Sequence, residues 1–463
     1  MADAGHAAQQ LGVGNPTHPS AAQPPAATAG VSGSLARDTA VRSMAWALAH
    51  STLNTVFYSL TFGGSIFVLF LDYLGLPKAR IGLVLSLLPL CGLLALVAGP
   101  ATVRFGLKRT FVIFYGLRKP VMLLLLLAPW MISRFGAGAG GWYVIGVMFV
   151  FAVLRAIAET GYYPWYRQFI PDSFRGRFSA IANLATVSSG ALTIWLASYV
   201  LAASRGAAGY MKLITAGVIF GIVSVAMMIP VPGGGPAAGP PSLAHYLRGI
   251  RNCLRDRRFV WYLLGVGCYV MGLAIVPFMP LYLRDFVGLG QATVVRLEPA
   301  AMLAGIVSSF LAGWAADRYG GRPVTLVGVA GTLVLPVFWV LIPRHSPASL
   351  PLAYAGACWQ GLCSATVGIS TTRLLFSELM PPAKSMDYSA VNYAATGLFG
   401  GIGPLVVGSA LTGLKGWSTR LAGLTLDQYA PLLAAGFVLV ATSGYCFGRT
   451  HRDADKPTAE VRA

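Results

Sequence analysis

Long apolar runs alternate with short polar gaps along nearly the whole chain. A helix needs about 20 mostly apolar residues to cross a bilayer. Twelve segments meet that need: 44–71, 80–102, 110–133, 142–168, 178–203, 210–232, 259–283, 293–316, 323–343, 350–377, 388–412 and 427–447. Gly and Pro recur inside them, as membrane helices tolerate, and small residues let such helices approach closely. The run "GLFGGIGPLVVG" (397–408) reads as a packing face of that kind. The pattern predicts an all-α membrane protein of twelve transmembrane helices. The predicted organisation is a disordered tail (1–42), a six-helix half (43–232), a linker (233–258), a second six-helix half (259–448) and a polar tail (449–463).

Composition agrees with that reading. Of 463 residues, 56% are hydrophobic and only 11% charged, where a soluble domain carries about 25% charged residues. The formal charge of +19 does not point to nucleic acid here, because most of it lies in the gaps between apolar spans. Even-numbered gaps hold the larger basic clusters, such as Arg104, Lys108 and Arg109, and Arg248, Arg251, Arg255, Arg257 and Arg258. The positive-inside rule then places both termini and the central linker in the cytoplasm, in a multi-pass protein of the inner membrane. The linker stretch "SLAHYLRGIRNCLRDRRF" sets Leu243, Tyr246, Leu247, Ile250 and Leu254 at helical spacing beside arginines. It reads as a helix on the membrane surface, against anionic headgroups. The six cysteines show no paired metal-ligand spacing. No metal site and no cofactor are expected. The expected partners are the lipid bilayer, a small-molecule substrate and protons, with the protein a monomer.

The two halves repeat. "LDYLGL" (71–76) aligns with "RDFVGL" (284–289), "GPATVRFGLKR" (99–109) with "GWAADRYGGRP" (313–323), and "PDSFRGRFSA" (171–180) with "PPAKSMDYSA" (381–390). Three matches at offsets of 210 to 214 residues, each in the equivalent gap, indicate a duplicated six-helix unit and two pseudo-symmetric halves. The gap between helices 8 and 9 carries Gly313, Asp317, Arg318, Gly320 and Arg322. The gap between helices 2 and 3 carries Gly99, Arg104, Gly106, Lys108 and Arg109, with Val103 where the second copy has its acid. These residues resemble the G-x-x-x-D-R-x-G-R-[KR] motif of the major facilitator superfamily. Arg175, Gly176 and Arg177 after helix 4 look like its P-x-x-x-R-G-R turn. The resemblance implies the family's transporter fold and alternating access. It implies that Asp317 and the basic residues form a cytoplasmic gate, weaker in the first copy because of Val103, and that helices 1, 4, 7 and 10 line a central cavity. The charges serving only as topology anchors is the competing reading.

Each of those helices carries a polar stripe. Helix 4 sets Arg155, Glu159, Tyr162, Tyr163 and Tyr166 on one face, with Pro164 among them. Helix 1 sets His50, Asn54, Tyr58, Thr61 and Ser65 on one face; helix 10 offers Gln360 and Ser364, and helix 7 Tyr262 and Tyr269. Cavity lining and ordinary interhelical hydrogen bonding both fit the stripes in helices 1 and 10. In helix 3, Arg118 either lines the cavity or snorkels toward the headgroups, and Lys119 is expected to snorkel. Glu298 and Arg296 are expected to meet water near the outer end of helix 8. Asp72 and Asp285, at repeat-equivalent outer ends, belong to loop structure or to an outside gate.

An unpaired charge at bilayer depth costs several kcal/mol, about 3 on insertion scales. Arg155 and Glu159 lower that cost as an i, i+4 pair. Either the bridge is permanent, or it opens so that Arg155 holds cargo and Glu159 exchanges a proton. The functional reading is a secondary transporter of a small solute, an organic anion or a sugar, and not an enzyme: no nucleotide loop, metal spacing or nucleophile motif is present. The alternatives are a non-transporting receptor or scaffold on a carrier fold, and a drug efflux antiporter. Helix 5 reads "FSAIANLATVSSGALTIWLAS" and lacks the G-P-x-x-G-G signature of drug–proton antiporters.

Overall fold

The computed structural model describes residues 26–170, 172–236, 251, 253–381, 385–421 and 424–450. The expected linker helix falls almost entirely outside these residues, as do residues 1–25 and 451–463. Among the described residues, nine helical spans are long and apolar enough to cross a membrane. One of these, Leu107–Tyr166, is 60 residues long, enough for two crossings and the turn between them. It folds back at Gly136, whose φ of 84° breaks the helix. The Tyr143 hydroxyl donates to the Leu124 carbonyl at 2.8 Å across that reversal. With this span counted as two passes, and with helical residues 78–105 and 349–373 beside the nine, the element order is consistent with twelve crossings.

The first half contains α1 (Ala26–Thr61), α2 (Gly64–Tyr73), α3 (Lys78–Gly92) and α4 (Ala95–Phe105). Then come α5 (Leu107–Thr110), a π-type turn (Phe111–Tyr115), α6 (Gly116–Val121), a 3₁₀ stretch (Met122–Leu127), α7 (Ala128–Phe169), α8 (Asp172–Ala203) and α9 (Ala208–Ala226). The second half contains α10 (Arg257–Gly272), α11 (Met279–Asp285), α12 (Gln291–Tyr319), α13 (Gly321–Leu341), α14 (Ser349–Arg373), α15 (Ser385–Gly413) and α16 (Ala430–Arg449). Two expectations change. Helix α1 starts at Ala26, inside the predicted disordered tail, where Ala, Leu and Arg favour helix once a membrane helix continues from them. And a short antiparallel hairpin, β1 (Ser418–Leu421) with β2 (Leu424–Asp427), interrupts the all-helical order, with Thr419 opposite Leu426. Alternating Leu and Thr suit a strand better than a helix.

The sequence repeat is visible in the backbone. Gly75 and Gly288, 213 residues apart, both take positive φ (76° and 87°) after the first helix of their halves. Gly106 and Gly320, 214 apart, do the same (104° and 88°) between the second and third. Glycine is the residue that enters this region without penalty. Each then closes the preceding helix with its N–H, Gly106 to Thr102 and Gly320 to Ala316.

The halves meet along two seams, α3 against α15 and α8 against α12. Toward the end opposite the chain termini, Gly82 and Gly408 bring α3 and α15 into backbone contact, and the Ala79 N–H donates to Thr412 Oγ1 at 2.8 Å. A Cβ on Gly82 would strike the Pro404 carbonyl, whereas one on Gly92 meets nothing within 4 Å. Gly82→Ala is therefore expected to destabilise the protein by about 1–3 kcal/mol, the usual cost of overpacking. Thermal unfolding in detergent should show a lower Tm for Gly82→Ala than for Gly92→Ala, which should match the native chain.

Candidate functional site

The loops at the termini end are held within their own halves. In the first copy of the repeated motif, Lys108 Nζ donates to the Ile229 and Val231 carbonyls, each at 2.7 Å. In the second, Arg322 donates to the Gly448 carbonyl at 2.7 Å. The repeat offset of 214 pairs Lys108 with Arg322, so equivalent cations satisfy carbonyls just past the sixth helix of the first half and in the last turn of the sixth helix of the second. Asp317 pairs with Arg373 at the end of α14, and Glu378 accepts from the Gly321 N–H at 2.6 Å. Arg318 lies by the rings of Trp314 and Tyr319. Val103, in the first-copy position of the acid, packs with Tyr162 and Tyr166 on an aromatic cluster instead. Gly313 has no neighbour at its Cβ position. Arg104, Arg109 and Arg177 are exposed, and the side-chain surroundings of Gly99, Arg175 and Gly176 lie outside the described residues.

Deeper in the bundle, helices α1, α6 and α7 bring several expected residues together. Arg155 Nε donates to Glu159 Oε1 at 2.7 Å, with 30% and 22% of the two side chains exposed. Both side chains of the pair are therefore partly exposed. Asn54 Oδ1 accepts from Lys119 Nζ at 2.6 Å and, at the limit of 3.5 Å, from Arg118. The Arg118 guanidinium stands 3.6 Å over the Tyr115 ring, and Lys119 Nζ stands 3.7 Å over Phe57. Their exposures are 2% and 0%. The expectation that Lys119 snorkels is thus wrong. The π-type turn at Phe111–Tyr115 shifts the register of the helix before them, and a buried acceptor with ring faces replaces water. Arg118 Nε and Nη1 still lack hydrogen-bond partners.

Tyr58 and Tyr162 complete this side. Tyr58 is 46% exposed, and Tyr162 packs on Phe111 at 5.0 Å and on Tyr166 at 5.8 Å. Tyr163 has its backbone in α7, with its side chain outside the described residues. His50 does not face open space: it meets the Ser224 carbonyl at 2.7 Å and is ringed by Phe111, Tyr115 and Tyr162. Among the described residues, no direct contact joins Gln360 or Tyr269 to the Arg155 cluster. Gln360 and Ser364 line a separate cavity of about 350 Å³ with Asn183 and Val187 of α8 and Met302 and Ser309 of α12. Tyr269 turns to Thr332 of α13, hydroxyl to hydroxyl at 3.4 Å, so it serves its own half's packing here.

Tyr393 of α15, outside the four helices whose polar stripes were expected to line the cavity, is 52% exposed and lies within electrostatic reach of both Arg155 and Glu159. Glu298 does not simply meet water: its Oε2 accepts from the Ser65 N–H at 2.8 Å and the Ser65 hydroxyl at 2.7 Å. Asp72 and Asp285 join Lys78 and Arg284 in a four-charge network, with Asp72 2.5 Å from each cation. The Glu298–Ser65 contact and two of these ion pairs, Arg284–Asp72 and Lys78–Asp285, cross between halves.

The sequence pattern of the Major Facilitator Superfamily matches residues 50–404, most of the chain. The chain belongs to that superfamily. As a superfamily member it is an integral multi-pass membrane protein. It is 25% identical over 346 residues to the ectoine/proline transporter ProP of Corynebacterium glutamicum, covering 67% of this chain and 65% of ProP. It is 29% identical over 187 residues to the class G tetracycline resistance protein of Vibrio anguillarum, covering 38% of this chain and 44% of that protein. The chain thus spans less than two thirds of the length of either relative. Solved structures share the fold at low identity. Two of the nucleoside transporter NupG have TM-scores of 0.68 and 0.61 at 13% identity, each over 89% of this chain and 100% and 99% of theirs. A D-xylose-proton symporter has a TM-score of 0.62 at 14% identity, over 89% of this chain and 97% of its own.

The Lys119–Asn54 contact yields a direct expectation. Asn54→Leu strands a buried ammonium and should cost about 1–3 kcal/mol or more. Asn54→Asp supplies a counter-charge and should hold or raise the Tm. Paired thermal melts of the two variants check the difference in sign.

Proposed function

We propose that this superfamily member is a secondary active transporter that moves a small organic anion across the cytoplasmic membrane by alternating access, as a monomer with both termini in the cytoplasm. The observation that carries the choice of cargo is the charge balance of the helix 1, 3 and 4 cluster. Arg155 pairs with Glu159 and Arg118 lies within electrostatic reach of the same carboxylate, while Lys119 beside them is held only by the neutral Asn54 amide and ring faces, and Arg118 keeps two unpartnered nitrogens. A carboxylate or phosphate supplies what those donors lack, and a guanidinium binds either through paired hydrogen bonds. In this reading Arg118 and Arg155 hold the anionic group. Asn54, Tyr58, Tyr162, Tyr163, Tyr166 and Tyr393 shape the rest of the site, and Gln360 and Tyr269 join it when the second half moves inward. A neutral sugar satisfies hydroxyl and ring contacts but leaves the positive excess in place, so it fits less well.

Glu159 then has two partners to choose between. With cargo on Arg155, the carboxylate loses its ion pair and takes up a proton, which couples cargo to a pH gradient. The motif cations and Asp317 act as the cytoplasmic gate in the opposite conformation, with Arg175, Gly176 and Arg177 in the same loop layer. The resemblance to a tetracycline resistance protein favours drug efflux only weakly, since helix 5 lacks the antiporter signature.

A thermal-shift screen of carboxylates and phosphorylated metabolites identifies the ligand, because binding to the native state raises the Tm. Counterflow of the labelled hit in proteoliposomes then separates a carrier from a receptor, which binds without exchange. Arg118→Gln and Arg155→Ala should each lower uptake roughly tenfold or more, the effect of about 1.4 kcal/mol of lost binding. Glu159→Gln should retain counterflow and lose its response to a pH gradient. Native uptake in both arginine variants would sink the binding assignment.

A further inference from the structure

A groove of about 530 Å³ lies in the second half, between α13 and α16 and against the β1–β2 hairpin. On the α16 side it is cut back to Ala430 and Ala434, one helical turn apart. Bulk stands around them: Leu341 of α13, Phe437 of α16, Leu426 of β2, and Trp417 just before β1. Among the described residues that line the groove, no side chain is charged. Both flanking helices are membrane spans. Leu341 and Phe437 are 55% and 38% exposed, so no other part of the chain covers this trough.

The outer end of the groove is held in place. Asp427 pairs with Arg344, ahead of α14, at 2.6 Å and accepts from the Tyr429 N–H at 2.8 Å. The link before β1 turns at Gly416, whose φ is 80°, and the Trp417 N–H donates to the Leu414 carbonyl at 2.9 Å. The groove therefore exists before anything enters it. Its two walls belong to the same half, so parting of the halves leaves it intact.

Depth and charge point to one occupant. From Ala430 to Val438 the groove follows α16 for eight residues, about 12 Å at the helical rise. One leaflet of a bilayer holds about 15 Å of hydrocarbon. An acyl chain entering beside the hairpin thus meets apolar wall over most of its leaflet. Trp417 stands at the outer end, where an indole suits the headgroup level. Lys415, two residues before it, is exposed. Arg420 adds positive charge from the face of the hairpin opposite Leu426. The single acid between residues 413 and 450 is Asp427, which Arg344 already neutralises.

We infer that this groove binds one phospholipid of the leaflet opposite the chain termini, with an acyl chain along α16 and an anionic headgroup at Lys415. The site is separate from the Arg155 cluster and does not depend on what the protein carries.

Native mass spectrometry of the purified full chain tests this, after titration in detergent with phosphatidylglycerol or with phosphatidylcholine of the same acyl chains. The native chain should hold one phosphatidylglycerol about fivefold more tightly than phosphatidylcholine, the effect of one lysine near the headgroup. Ala434→Trp fills the groove from an exposed position and should weaken both lipids roughly tenfold. Trp417→Ala removes bulk at the outer end and should weaken both as well, which keeps the test open should Ala434→Trp fold poorly. Val327→Trp, at a 70% exposed position of α13 outside the groove, should match the native chain. Lys415→Gln should bind the two lipids alike. The inference is overturned if the native chain does not distinguish the lipids, if both groove variants keep native affinity, or if Val327→Trp loses as much as they do, which would mark ordinary surface lipid. A dimer that Ala434→Trp dissociates would assign the groove to a second copy of the chain and would overturn it equally.

Discussion

A charge at bilayer depth has to find its partner inside the protein, because the surrounding lipid offers none. Much of this chain's architecture follows from that constraint. Lys119 is placed between an amide oxygen and two ring faces. Arg118 lies flat over Tyr115, with part of its donor set unused. Arg155 and Glu159 answer each other along one helix. The helices that supply these partners, α1, α6 and α7, belong to one half, so that half carries the polar interior. The second half is joined to it chiefly through glycine-lined seams and a few long polar contacts.

The two ends of the bundle are built differently. At the end opposite the termini, ion pairs and hydrogen bonds run between halves: Arg284 to Asp72, Ser65 to Glu298, Ala79 to Thr412 and Arg296 to Ser198. At the termini end, motif residues bond within a half: Lys108 to the Val231 carbonyl past α9, Arg322 to the end of α16 and Asp317 to Arg373. The same duplicated unit therefore presents cross-half bonds at one level and self-satisfied loops at the other.

Much of the fold was legible in the sequence because membrane crossing is a length and polarity constraint, and because the repeat is written in glycines. Gly75 with Gly288 and Gly106 with Gly320 kept both their spacing and their backbone conformation. The i, i+4 spacing of Arg155 and Glu159 foretold their contact, since both lie on one uninterrupted stretch of helix. Where helical periodicity fails, so did the reading. The π-type turn before Gly116 changed which way Lys119 faces, and the break at Phe62–Gly64 made Ser65 a donor to another half rather than the last member of a stripe. Tyr393 and Glu298 depend on which helices adjoin across the seam, and no local pattern records that.

The ends of the linker have a mechanical consequence. Gly234 is held by Gln168 at 2.8 Å and by the Lys108 backbone at 3.0 Å, beside Trp165, which donates to the Pro232 carbonyl. Asp256 caps α10 and accepts from the Tyr388 hydroxyl at 2.9 Å. Each anchor therefore moves with its own half, and neither has to break for the halves to move apart.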